Sequence, residues 1–251
     1  MSGHSKWSTI KRKKGALDAK RGALFTKLIR EISIAAKNGG DDINANPRLR
    51  TAVLKAKENN MPNENIERAI KKGTGKLEGV TYEEVKYEGY GPGGVAIMID
   101  CVTDNKNRTT AEIRSTFSKH GGHLAEAGSV GYLFDRKGMI TIESGHVTED
   151  QVIDMLLDYD VEDVKTVEGN IEVITSPEGF HNISPLLLEK KYKLLYNEIT
   201  YIPKTTTRLD EKKASQCLKL VEILEDLDDV QSVYANYDIS DEIMLKISEA
   251  H

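Results

Sequence analysis

The sequence predicts an α+β protein: an N-terminal three-helix domain plus two ferredoxin-like α/β domains, one inserted in the other. Three observations carry this. Apolar residues recur at helical spacing between Leu24 and Ile70; strand-like runs separated by Gly, Pro and Asn take over from Tyr82; and residues 138–204 read as β-α-β-β-α-β. The boundaries expected are 1–80 for the helical domain, 81–135 plus 206–251 for the outer α/β domain, and 136–205 for the insert.

The first long helix is marked by Leu24, Phe25, Leu28, Ile29, Ile32, Ala35 and Ala36, with "NGG" at 38–40 as its stop. At 100° per residue these side chains fill an arc of about 140°, and Lys20, Lys27, Arg30 and Lys37 fall within about 100° on the far side. "NPRLRTAVLKAKENN" opens a second helix with Asn46 as N-cap and Pro47 at its first position, and "MPNENIERAIKKGTG" reads as a third, ending at Gly73.

"YEEVKYEGYG" and "GVAIMIDCVT" form a strand pair across the turn "GYGPGG" at 89–94. A helix follows, with Thr109 and Glu112 in capping-box form and "HGGH" as its stop, and then "SVGYLFD" as a strand. Within 138–204, "GMITIES", "VEDVKTVE", "NIEVITS" and "NEITYIP" read as strands, while "TEDQVIDMLLDY" and "GFHNISPLLLEKKY" read as helices, the latter despite Pro185. A helix from 208 and the strand "VQSVYANY" complete the outer domain.

Composition narrows the function. The 251 residues are 39% hydrophobic, and no stretch approaches the roughly 18 apolar residues of a membrane helix. Cys101 and Cys217 stand far apart without a Cys-x-x-Cys partner, giving neither a disulfide framework nor a zinc set and pointing to a reducing cytoplasm. The charge is polarised. Residues 1–80 hold 18 Lys and Arg against 8 Asp and Glu, a net of +10; residues 81–251 hold 17 against 32, a net of −15.

Catalytic patterns are weak. "AGSVG" around Ser129 lacks the first glycine of a nucleophile elbow and precedes a strand rather than a helix. His120 and His123 in "HGGH" read as loop histidines, and "GYGPGG" lacks the Lys-Ser/Thr of a phosphate loop, leaving Tyr90 as its residue best placed to touch a partner. No cofactor motif or metal set is present, so no enzyme activity is expected. "DNKNRT" at 104–109 sets Lys106 and Arg108 at a helix N-terminus, where an anion is favoured, although a polar capping loop is the simpler reading. "EDLDD" at 225–229 is expected to be a solvated helix end that repels nucleic acid.

The basic start carries the functional signal. Lys6, Lys11, Arg12, Lys13, Lys14, Lys20 and Arg21 cluster around the single tryptophan, Trp7, ahead of the first apolar pattern. A secretion signal would follow these charges with an apolar stretch, which is missing. Clustered cations release counterions from phosphates, and an indole can stack on a base. The segment is therefore expected to act as a mobile hook that orders on nucleic acid, together with the basic stripe of the first helix. No helix-turn-helix reader is legible, because "NNMP" at 59–62 is not a tight glycine turn and few base-reading side chains stand out.

"GHSKW", "AKRGALFTKLIREI", "NPRLRTAV", "NNMPNENIERAIKKG", "YEGYGPGGVAIMID", "DNKNRT" and "LEDLDDVQSVYANYDI" together resemble the YebC/PmpR family, which includes bacterial regulators and a mitochondrial translational activator. The blocks span nearly the whole chain in family order, and Gly3, His4, Ser5, Lys6 and Trp7 match the first block position by position. The resemblance implies a three-domain, non-enzymatic, cytoplasmic DNA-binding transcription regulator, with a ribosome-associated translation factor as the alternative. The lack of an upstream transit segment favours the bacterial setting. A small-molecule sensor is a further reading on fold analogy. The expected partner is nucleic acid, DNA or ribosomal RNA, with ribosomal or transcription proteins beside it; no membrane and no cofactor is expected. The candidate contacts are His4, Lys6, Trp7, Lys11, Arg12, Lys13, Lys14, Lys20, Arg21, Lys27, Arg30, Lys37, Lys106 and Arg108.

Overall fold

The computed structural model describes residues 19–143, 145, 147–167 and 169–249, which fall into two compact units. One is Leu133–Lys204; the other combines the residues up to Tyr132 with those from Thr205 onward.

The larger unit begins with α1 (Ala19–Gly39), α2 (Pro47–Glu58) and α3 (Asn63–Gly73). Leu28, Ile32, Ala35 and Ala36 of α1 meet Leu49, Ala52, Val53 and Ala56 of α2 and Ile66 and Ala69 of α3 in one core. Asn46 holds the corner between α1 and α2. Its side-chain oxygen accepts the Leu49 N–H at 3.1 Å, and its amide donates to the Ala35 and Gly40 carbonyls, each at 2.9 Å. Gly73 is required where α3 crosses α1, since a Cβ there would lie 2.2 Å from the Ser33 carbonyl oxygen.

The same unit continues with β1 (Glu83–Tyr90), β2 (Ala96–Thr103), α4 (Lys106–Lys119) and β3 (His123–Leu124). After the excursion into the second unit come β8 (Thr207–Arg208), α7 (Glu211–Asp226), β9 (Val230–Ala235), β10 (Tyr237–Asp238) and α8 (Asp241–Glu249). The sheet runs β3-β1-β2-β9 with every neighbour antiparallel, and β8 and β10 form a small parallel pair. Ile97, Ile99 and Cys101 pack toward Ile113 and Phe117 of α4 and Leu218, Val221 and Leu224 of α7. Ala96, Met98 and Val102 on the opposite face of β2 are also buried, and α1 lies against β2 and β9. The apolar run at 96–99 that opens β2 is what burial on both faces demands, and it is interrupted only at the partly buried Asp100.

The second unit is β4 (Phe134–Ile142), α5 (Glu149–Leu156), β5 (Val161–Val167), β6 (Asn170–Thr175), α6 (Pro177–Glu189) and β7 (Leu194–Pro203). Its antiparallel order β5-β6-β4-β7 is that of a ferredoxin-like split unit. Ile140, Ile142, Ile171 and Val173 face Val152 and Leu156 of α5 and Phe180, Ile183 and Leu187 of α6. Thr148 and Gln151 form a capping box on α5, and the Ser176 hydroxyl accepts the Gly179 N–H at the start of α6. The sheet of the larger unit has its own strand order and carries α4 and α7 on one face and α1 on the other.

Two local expectations are corrected. α4 starts at Lys106 with Asn105 as its N-cap, not at a Thr109 capping box, because the Thr109 hydroxyl is engaged by Asp229 and Thr103. "SVGYLFD" and "GMITIES" are not separate strands: Gly131–Leu133 is a 3-10 turn and Phe134–Ile142 is one strand. The cause is Glu88, whose buried carboxylate accepts the N–H groups of Gly128, Val130 and Gly131 at 2.9, 2.6 and 2.8 Å and holds that loop out of the sheet. Burial would raise the Glu88 pKa; the three N–H groups outweigh it and keep the carboxyl below its ordinary value.

Candidate nucleic-acid interface

His4, Lys6, Trp7, Lys11, Arg12, Lys13 and Lys14, and with them the hook, lie outside the described residues. Lys20 and Arg21 sit in the first turn of α1. The rest of the predicted stripe is brought together, but toward the protein. Lys27 donates to the Glu225 carbonyl and Arg30 to the Asp228 carbonyl, at the C-terminal end of α7, where free carbonyls and the helix dipole favour cations. Lys37 donates to the Tyr82 carbonyl at 2.7 Å, and Ile34, which shares this face, is buried.

Asp229 is the centre of this contact. Only 2% exposed, it pairs with Arg30 Nη1 at 2.8 Å and Arg108 Nη2 at 2.8 Å, and accepts the hydroxyls of Thr103 at 3.1 Å and Thr109 at 2.7 Å. Burial alone would raise its pKa. The hydrogen bonds from Arg108 and Thr109 and the charges of Arg30 and Arg108 outweigh it and hold the carboxyl below its ordinary 3.8. The solvated-end reading of "EDLDD" is thus corrected at Asp229, while Asp226 and Asp228 are exposed. Arg108 also pairs with Asp104 at 2.7 Å, so two carboxylates already occupy its guanidinium; Lys106 is exposed in the first turn of α4.

Other basic residues of the helical region divide the same way. Arg48 is paired with Glu31 and Glu84, and Arg50 donates to the Ile43 and Asn44 carbonyls. Lys57, Lys71 and Lys72 are exposed and form no ion pair among the described residues. The sequence reading passed over these three, although "KAKE" at the end of the second helix and "IKKG" at the end of the third were the available signals.

The remaining motifs are structural. "GYGPGG" and "HGGH" meet at one end of the β1–β3 pair, with the Tyr90 and His123 rings 5.4 Å apart and the Tyr90 hydroxyl donating to the Ser129 carbonyl at 3.1 Å. Cys101 and Cys217 are buried, which pushes both thiols up to about 12 and leaves no thiolate at neutral pH. Among the described residues no group of three His, Cys, Asp or Glu could hold a metal ion, and no helix is long and apolar enough to cross a membrane.

Residues 5–76 match the model of the TACO1/YebC protein N-terminal domain, and residues 82–237 match that of the TACO1/YebC second and third domain. The chain belongs to the TACO1/YebC family. Relatives of this TACO1/YebC chain include a "Probable transcriptional regulatory protein" of Syntrophobacter fumaroxidans, 57% identical over 99% of this chain and 100% of that protein. One of the same name from Syntrophus aciditrophicus is 55% identical over the same shares. The crystal structure of a conserved hypothetical protein from Aquifex aeolicus is 48% identical with a TM-score of 0.81, covering 92% of this chain and 96% of that one.

Proposed function

We propose that this TACO1/YebC chain is a non-enzymatic regulator of gene expression that holds nucleic acid through residues 3–72. The observation that carries the reading is the division of charge, +10 in residues 1–80 against −15 beyond. Ion pairing refines it. Lys27, Arg30 and Lys37 have protein partners, so phosphate contact falls to the basic run before α1 and to the exposed Lys57, Lys71 and Lys72. The stripe on α1 instead holds the helical region on the sheet, and the acidic remainder limits indiscriminate binding. The names of the relatives support regulation of transcription as the setting.

Crosslinking in cells, followed by sequencing of the bound DNA and RNA, tests the setting. Peaks at promoters are expected. Enrichment of ribosomal RNA without promoter peaks would replace transcription with translation, and enrichment of neither would end the nucleic-acid reading.

A further inference from the structure

We propose that α2, the turn at 59–62 and α3 form a helix-turn-helix head that sets the outer face of α3 in the major groove of duplex DNA. This rests on the nucleic-acid reading above and names its target class. The turn supplies the first argument. Asn60 has φ 58°, the left-handed conformation that glycine usually fills and asparagine tolerates. The Met61 N–H donates to the Ala56 carbonyl and the Asn60 N–H to the Lys57 carbonyl, both at 2.9 Å, so α2 closes in a Schellman motif and α3 starts four residues later. "NNMP" is a tight turn after all, with asparagine in glycine's place.

Packing supplies the second. Ala56, Met61, Ile66 and Ala69 are at most 4% exposed and share one core with Leu28, Ile32, Ala35 and Ala36 of α1, so the two helices and the turn between them are held on a common support. Ser33 of α1 donates its hydroxyl to the Ala69 carbonyl at 3.0 Å, which backs α3 against a third helix. A two-helix unit joined by a short turn and backed by a third helix is how such motifs present a rigid recognition helix.

The exposed chemistry supplies the third. Opposite Ile66 and Ala69, positions 64, 67, 68 and 71 lie within an arc of about 100° on the outer face of α3. Glu64, Glu67, Arg68 and Lys71 are all exposed. Arg68 suits guanine O6 and N7, Glu64 the cytosine amino group, and Asn63 at the helix start adenine. The Arg68–Glu64 pair, 3.2 Å with side chains 57% and 81% exposed, yields easily to a base. Residues 47–76 carry 8 Lys and Arg against 3 Asp and Glu, complementary to the phosphates flanking the groove. An A-form RNA duplex has a major groove too deep and narrow for a helix, which selects DNA.

The test uses the full chain and a pool of random-sequence duplex DNA, with structured ribosomal RNA as the second probe. Repeated selection is expected to yield a shared short motif, and methylation of guanine N7 within it is expected to block binding. Arg68→Ala, at an exposed position, should reduce the preference for selected over unselected duplex by about tenfold or more, while binding to unselected duplex changes far less. Binding of duplex and RNA without an enriched motif would overturn the helix-turn-helix head and leave the nucleic-acid reading standing. So would a motif indifferent to the α3 variant. Failure to bind either probe would overturn both.

Discussion

Replacing Asp229 by Ala is expected to destabilise the larger unit by about 3–5 kcal/mol, because it strands the guanidinium of Arg30 and the hydroxyls of Thr103 and Thr109 without their shared acceptor. Asp229→Asn should cost less, since the amide oxygen still accepts a hydroxyl while the charge is lost. The contact ties α1 to the turn after α7, so hydrogen exchange should rise along α1 before it rises in β2. The pH dependence follows from the lowered pKa. The contribution is fully present above the ordinary aspartate value and is lost as pH falls through the lower folded value, so acid should release α1 first. Urea unfolding measures the loss; a change below about 1 kcal/mol would mean that the cluster is dispensable.

The second large effect lies in the basic run. If the segment engages about five phosphates, the log of the binding constant should fall against log salt with a slope of roughly −3.5 to −4.5. Replacing Lys11, Arg12, Lys13 and Lys14 by Ala should flatten that slope by about 3–4 units, on duplex DNA or structured RNA alike. Trp7→Ala should weaken binding by roughly 1–3 kcal/mol with little change in slope, since stacking releases few ions. An unchanged slope in the quadruple variant would move the phosphate contacts elsewhere, with Lys57, Lys71 and Lys72 the next positions to replace.

Most of the fold was legible because its signals are local. Asn46 and Pro47 open α2 as read, Gly73 closes α3 as read, and the β-α-β-β-α-β order of the insert follows from alternation and turn residues alone. What escaped the sequence were contacts across long separations. Nothing near Arg30 in the chain announces Asp229, so a cationic stripe on one helix and an acidic run some 200 residues later looked like a phosphate-binding face and a solvated helix end rather than two halves of one contact. Glu88 likewise fixes the loop at 128–131 from a strand far upstream, which is why a strand was expected there. Asn60 hid the turn between α2 and α3 because its left-handed backbone is set by the Schellman bonds rather than by a glycine.

Ultraviolet crosslinking of the full chain to duplex DNA and to structured RNA, with the joined peptides identified by mass spectrometry, tests most directly whether the basic end holds nucleic acid. The account predicts crosslinks within residues 3–72, concentrated at Trp7 and the lysines of the run that follows it, and few beyond residue 81. Crosslinks confined to the acidic α/β units, with none before α1, would contradict it.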